Sequence, residues 1–513
     1  MTERVRKAAR SRSGRDKTAA SGAGSVDIRI DVTQPGVPLP HLWEFSVGSG
    51  HATLALRADY QAQLARCRVE LGVRHVRFHG LLSDDMGTLL CERKKLLYQF
   101  VNADRVWDFL VSNGMRPIVE LSFMPTTLAS GSTTVFHYRG NVTPPRDYAK
   151  WEALIRRLGA HCVERYGAEE VRQWPFEVWN EPNLKAFWQG GQRDYFDLYH
   201  RAADGLRKAD EGLRVGGPAT ASNAWIEEFL EFCETHDVPA DFVSTHHYPT
   251  DAFGRPGDDT EAQLAASTRS VLRERAAVTH RRAGGRPLYY TEWNTSSNSR
   301  DPLHDEPYAA AVVVKTMLEA TGLVDGYSFW TFSDIFEENY FPALPFHGGF
   351  GLLNLYGVAK PTYRAFELLH ALGTDLVASH TDRHPTVDAW IVRRPRGLTV
   401  MLTNHALPRH PISDERVRLH LDGASSPSAV TVRRIDVEHA NARARWQELG
   451  EPGYPSAAEV DELHEASTMR RESVHWRHEE GALRLEIVLP PHAVAAIEID
   501  SPPLAPRGVA PAA

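Results

Sequence analysis

Two glutamates in apolar surroundings are the residues of this chain best suited to chemistry: Glu181 in Trp179-Asn180-Glu181-Pro182-Asn183-Leu184, and Glu292 in Tyr290-Thr291-Glu292-Trp293-Asn294. Each closes an apolar run of strand character, so each is expected at a strand end. Two carboxyls over the open end of a parallel sheet are the minimum equipment for cutting a glycosidic bond. One protonates the departing oxygen; the other attacks or stabilises the anomeric carbon. Asn180, beside Glu181, suits a donor to a sugar 2-hydroxyl, a contact that tightens as charge develops. The ordinary alternative makes Glu181 a helix first-turn acid and Glu292 a solvated surface residue. Flanking Trp179, Trp188, Tyr290 and Trp293 argue against it, because a solvated glutamate does not usually sit amid so much apolar surface.

Positioning such a pair requires elements whose ends converge. Short apolar runs recur at 41–46, 73–79, 116–122, 173–180, 213–218, 241–247, 287–292 and 325–330, separated by stretches of helical period. In 148–166, for example, Trp151, Leu154, Ile155, Leu158 and Cys162 recur at spacings of three and four. Eight strands alternating with helices predict a (β/α)8 barrel over 41–372, with Glu181 after the fourth run and Glu292 ending the seventh. Beyond 372 the pattern alternates in strands, as in Val417-Arg418-Leu419-His420-Leu421, predicting an antiparallel β-sandwich over 373–500. An early alternating segment within 26–40 is expected to return and pair with that sandwich. Residues 1–25 carry seven Lys/Arg and no apolar core, and 501–513 are Pro- and Ala-rich; both are expected to be disordered.

Composition narrows the function classes. The net charge is −8 with both signs mixed, which leaves no basic stripe for nucleic acid and no polybasic membrane patch. No apolar stretch reaches the roughly 18 to 20 residues of a membrane span, and no secretory signal is recognisable, so a cytoplasmic protein is expected. Cys67, Cys91, Cys162 and Cys233 form no Cys-x-x-Cys pair, arguing for free thiols over a metal or disulfide framework. Twelve Trp and sixteen Tyr suit sugar stacking, although large cores also use them. No Gly-x-Ser-x-Gly follows a strand, which disfavours a serine hydrolase.

The chain resembles glycoside hydrolase family 39, the β-xylosidases and α-L-iduronidases, from about residue 42 to 499. The motifs that carry the resemblance are Gly48-Ser49-Gly50-His51, Arg77-Phe78-His79-Gly80 with Asp84-Asp85, WNEPNL at 179–184, and Ser244-Thr245-His246-His247-Tyr248-Pro249. Later come TEWN at 291–294, the segment 330–338 ending in Glu337-Glu338, and 346–353 beginning Phe346-His347-Gly348-Gly349. The resemblance implies a retaining double displacement, with Glu181 as acid/base and Glu292 as nucleophile. Carboxyls about 5 to 5.5 Å apart would follow, and with them a raised pKa for Glu181.

It also implies substrate contacts at His51, His79, Trp293 and one of Glu337 and Glu338, with Phe341, Phe346 and His347 walling the pocket. His51 is read as following a Gly-Ser-Gly turn, and a core histidine bonded to backbone is the ordinary alternative for it and for His79. Side chains alternate along a strand, so only one of His246 and His247 can face the mouth. His246, with Tyr248 nearby, is favoured; the opposite phase stays open. The His pair lacks a third ligand at metal-site spacing, and no metal or cofactor is expected. Lys185 and Arg300 are the cations nearest the two motifs, the feature an iduronate carboxylate would need. The loops look like those of bacterial xylosidases, so the expected function is an exo-acting β-xylosidase on short oligosaccharides or glycosides. An iduronidase-like enzyme, a transglycosylase and a non-catalytic carbohydrate-binding protein are the alternatives. The family also suggests a homotetramer.

Overall fold

The computed structural model describes residues 24–251, 253–338, 342 and 344–502. Eight strands, Ser46–His51, His75–His79, Arg116–Glu120, Pro175–Glu177, Arg214–Thr220, Phe242–His247, Leu288–Trp293 and Gly326–Phe329, close into a parallel barrel in that order. A helix follows each, from Ala58–Leu71 after the first to Pro361–His370 after the eighth. This is a (β/α)8 barrel. Helix Tyr148–Tyr166 starts where the Asp147 side chain accepts the Ala149 and Lys150 amides, and it buries Trp151, Leu154, Ile155, Leu158 and Cys162 against the barrel. It packs on helix Gln192–Ala209 at close range because Gly205 has no side chain. A Cβ there would fall 2.7 Å from the Glu152 carbonyl oxygen.

The first strand lies later in the chain than the apolar run at 41–46 suggested. Leu42–Glu44 form a 3-10 turn, and the strand runs through Gly48, Ser49 and Gly50. Gly48 is not a turn residue: the Trp330 ring occupies the space beside it, and a Cβ would lie 2.2 Å from that ring. His51 therefore ends a strand instead of following a turn.

The C-terminal part is a β-sandwich of two sheets. One contains Gly24–Asp31, Glu415–Asp422, Ala482–Leu489 and Trp476–Glu479, with Gly24–Asp31 running parallel to Glu415–Asp422 and the other pairs antiparallel. The other has seven strands, its centre formed by Val387–Arg394, Gly397–Asn404, Val494–Asp500 and Ala429–Ile435. Val417, Leu419 and Leu421 are buried while Arg416 and Arg418 are exposed, so the period-two pattern decides which face meets the opposite sheet. Two helices, Ala442–Glu448 and Ala457–Ala466, interrupt the strands. Their Trp446 and Leu463 pack with Phe346 of the loop after the eighth barrel strand, and Arg443 pairs with Glu306. Among the described residues the four cysteines are free thiols, and no helix is long and apolar enough to cross a membrane.

Candidate active site

The C-terminal ends of the barrel strands bring together side chains from seven of the eight repeats, all but the fifth. Glu181 follows the fourth strand in a turn where Trp179 and Glu181 take φ values of 71° and 45°, a left-handed region bulky residues avoid unless held there. Its amide donates to the Ala219 carbonyl on the fifth strand at 2.8 Å, which fixes the turn. Glu292 lies on the seventh strand beside a register slip against the eighth, between Tyr290 and Trp293; such bulges often re-aim side chains near active sites.

His246 joins the two carboxyls. Its Nδ1 is 2.9 Å from Glu181 Oε1 and 3.6 Å from Glu292 Oε2. The neighbouring His247 points the other way, its ring stacked 3.8 Å from Tyr290 and its Nε2 2.5 Å from the Tyr327 hydroxyl. Oxygen atoms of Glu181 and Glu292 lie within 4.8 Å of each other and of His246 Nδ1. The Tyr248 hydroxyl donates to Glu292 Oε2 at 3.0 Å.

Beneath them sits Arg77, fully buried. Its Nη1 is 2.7 Å from Glu292 Oε1, its Nε 2.5 Å from Glu177 Oε2, and its Nη2 2.8 Å from Glu120 Oε2. Nη2 also donates to Asn180 Oδ1 at 2.9 Å, which leaves the Asn180 NH2 for a ligand. Thr291 donates to the other oxygen of Glu177 at 2.7 Å. His79 places Nδ1 2.8 Å from Glu120 Oε2, and its Nε2 is 3.4 Å from Glu338 and 3.6 Å from Glu292.

These surroundings raise both carboxyls, against different opposing groups. Burial raises Glu181 to about 7, although His79 and Arg77 pull it down. Burial raises Glu292 as well, opposed by Arg77 in direct contact. Glu181 lacks such a guanidinium contact among its hydrogen bonds; its side-chain partner is His246, whose pKa burial depresses to about 4, so the ring is neutral. The site thus has one carboxyl poised to hold a proton near neutrality and another seated on a cation.

The remaining wall comes from the first, second, third and eighth repeats. His51 lies between Asp85, at 3.0 Å, and Glu337, at 3.5 Å. Asp84 instead accepts the Thr126 amide at 3.0 Å. A short hairpin, Thr134–Val135 with Gly140–Asn141, extends from the third repeat across the mouth. Its Tyr138 stacks on His51 at 3.7 Å, and its His137 amide donates to the Glu338 carbonyl at 2.9 Å. Trp330 packs on His79 at 4.7 Å.

Two expected contacts belong elsewhere. Trp293 points out of the barrel, stacked on Tyr327 at 4.5 Å and edge-on to Phe329, because the residue after inward-facing Glu292 must face the helices. Phe346 is buried in a separate cluster with Val358, Ala442, Trp446 and Leu463, its ring 5.6 Å from Trp446; it docks the loop on the sandwich instead of walling the pocket. His347 Nδ1 meets the Leu344 carbonyl at 3.2 Å, and Phe341 lies outside the described residues.

Sequence reasoning missed Arg77, Glu120, Glu177 and Tyr138 as site residues. A signal existed for the first three: Arg77 lies within its strand and Glu120 and Glu177 end theirs, and a barrel tolerates such charges at its core only when they are paired. Glu181, His246 and Glu292 could serve as ligands to a divalent cation, but Arg77 already supplies positive charge at Glu292. A second candidate set, His41, Glu44 and His370, lies at the opposite end of the barrel.

A closed (β/α)8 barrel with paired carboxyls at its C-terminal rim defines a glycosidase, an enzyme that hydrolyses O-glycosyl bonds. The model of glycosyl hydrolases family 39 matches residues 26–483, and the chain belongs to that family. It is 46% identical over 462 residues to a beta-xylosidase of Caldicellulosiruptor saccharolyticus, covering 89% of this chain and 95% of that protein. It is 37% identical to a beta-xylosidase of Geobacillus stearothermophilus, covering 89% and 92%. Among solved structures, a GH39 enzyme from Xanthomonas axonopodis pv. citri superposes with a TM-score of 0.83 at 32% identity, covering 93% of this chain and 98% of that one.

Proposed function

We propose that the protein is a retaining, exo-acting β-xylosidase. The observation that carries this reading is the asymmetry of the carboxyl pair: Glu181 is lifted by burial to about 7, while Glu292, within 4.8 Å, rests on Arg77. Glu181 is the general acid that protonates the leaving oxygen. Glu292 attacks the anomeric carbon to form a glycosyl-enzyme, since a spacing this short leaves no room for a water between carboxyl and sugar. Glu181 then deprotonates the water that resolves the intermediate. Asn180, its carbonyl held by Arg77, turns its NH2 to the 2-hydroxyl.

The glycone side is walled by His51, His79, Glu337 and Glu338 and crossed by the Tyr138 hairpin, which supports attack at a chain end. A uronate is disfavoured there. Arg77 is shared among Glu120, Glu177 and Glu292, and Lys185 donates to the Gly190 carbonyl at 2.9 Å on the exposed surface. A C5 carboxylate would thus bring a further negative charge to a wall that already holds Glu292, Glu337 and Glu338, whereas a pentose brings only hydrogen to that position.

A panel of aryl xyloside, arabinoside, glucoside, iduronide and glucuronide tests the glycone. The β-xyloside is expected to have the highest kcat/KM, and preference for the iduronide would overturn the assignment. Release of xylose from the interior of intact xylan would refute the exo reading. Product analysis at high acceptor concentration separates hydrolysis from transglycosylation, which shares every residue of the mechanism.

A further inference from the structure

Glu120 is buried at the end of the third barrel strand, with no exposed surface. One of its oxygens is 2.8 Å from both Arg77 Nη2 and His79 Nδ1, and the other accepts from the Ser122 hydroxyl. What this does depends on the far side of the imidazole. Nε2 of His79 is 3.4 Å from Glu338 and 3.6 Å from Glu292, too long for strong hydrogen bonds, so whatever it presents there is uncommitted. A neutral ring protonated on Nε2 would set a bare Nδ1 lone pair against the Glu120 carboxylate. A neutral ring protonated on Nδ1 would set a bare Nε2 lone pair toward two further carboxyls. Only the doubly protonated ring offers N–H to all three.

We propose that Glu120 is a positioning residue for substrate recognition: by accepting Nδ1–H of His79 from below, it keeps the opposite N–H aimed at the glycone hydroxyls between Glu338 and Glu292. The inference rests on the glycosidase reading above and adds a residue that never touches the sugar. The acids facing His79 outnumber the one cation, Arg77, that shares Glu120 with it. Burial opposes the charged ring, but Glu120, Glu338 and Glu292 outweigh it, lifting the imidazole to about 10, with Arg77 the cation beside it. Burial raises Glu338, and His79 pulls it back; His79 likewise pulls down Glu181. The imidazolium is therefore expected to persist across the working range, and Glu120 is the partner in direct contact that contributes most.

Full-length protein labelled at histidine Cε1 with carbon-13 tests this, with the His79 signal identified by its loss in His79→Gln. In the wild type the signal should stay constant from pH 5.5 to 9. In Glu120→Gln it should titrate inside that window, and Glu120→Asp should restore the constant signal. At pH 8, Glu120→Gln should raise KM about tenfold with a smaller change in kcat, the size expected when one charged hydrogen bond to substrate is lost. A wild-type His79 signal that titrates between pH 5.5 and 9 would overturn the proposal. So would a Glu120→Gln protein whose signal stays flat and whose KM is unchanged while its Tm falls, since that is a purely structural role. Should the wild type prefer another glycoside, the β-xylosidase reading fails, the NMR result stands by itself, and the KM comparison is made on the preferred substrate.

Discussion

Two buried cations in this molecule, Arg77 and Lys360, are assembled from similar parts and reach different ends. Lys360 Nζ is 2.7 Å from Asp305 and 2.7 Å from Asp334, and it donates to the Gly349 carbonyl at 3.0 Å. Both aspartates then spend their remaining oxygens on backbone: Asp305 accepts the Gly348 amide at 2.7 Å, and Asp334 the Gly351 amide at 2.8 Å. Every bond of that cluster ends on the chain, so it shapes a loop. Around Arg77, Glu120 leads on to His79, Glu177 to Thr291, and Glu292 to the cavity. A charged cluster with one member left facing open space sets the electrostatics of a reaction, whereas one closed on backbone amides sets only geometry.

That contrast is broken most sharply by removing the open member. Glu292→Ala should abolish turnover, a loss of about 10⁴-fold or more in kcat, because no other group can form the covalent intermediate. Its Tm should fall little, since the deletion relieves a negative excess around Arg77; a large loss of Tm with substantial residual activity would show that Glu292 belongs with the structural carboxylates. Glu181→Ala ranks next and should depend on the leaving group. A loss of about 10² to 10⁴-fold is expected for alkyl or sugar aglycones, and far less for a dinitrophenyl glycoside, which departs without a proton. Equal loss on both kinds of aglycone would remove Glu181 from the acid/base role.

Lys360→Met tests the other cluster. It strands two buried aspartates and should cost about 3 to 5 kcal/mol of unfolding free energy, measured by denaturant titration. Any effect on activity should come through the Glu337–Glu338 loop, whose neighbouring segment Lys360 anchors, and so appear in KM more than in kcat. A Lys360→Met protein of unchanged stability would mean that backbone amides alone satisfy Asp305 and Asp334.

The two clusters also mark what could be read from the chain. Glu181 and Glu292 stood out because each interrupts an aromatic run in a short motif, and the sandwich stood out because Val417, Leu419 and Leu421 alternate with Arg416, Arg418 and His420. The Arg77 cluster showed in the sequence only as separate charges in strand-like runs, without their partnership. Its bonds span 41, 100 and 215 residues, and a lone charge inside an apolar strand reads as an exception until the barrel supplies its partners. The first strand was misplaced because Gly48 and Gly50 suggest a turn, and only the Trp330 ring packed beside Gly48 shows why glycine is needed in a strand. Trp293 and Phe346 were misassigned for a simpler reason: an aromatic side chain suits a sugar pocket and a packing layer equally, and strand phase or docking partner decides which.

The smallest effect is in pH dependence, and it separates the two carboxyls from each other. Glu181 must be protonated to act as acid, and burial holds its pKa at about 7. kcat/KM should therefore be level just below neutrality and fall above it, approaching tenfold per pH unit once Glu181 is ionised. The same shift bears on stability with a definite sign. Because the folded state keeps this proton to higher pH than the unfolded chain, unfolding free energy should decline as pH rises from about 4.5 to 7 and level off beyond. Glu181→Gln should abolish both the alkaline limb in kcat/KM and the portion of the stability slope that Glu181 contributes. If the alkaline limb survives in Glu181→Gln, the titrating group is another, and Glu181 is not the proton holder.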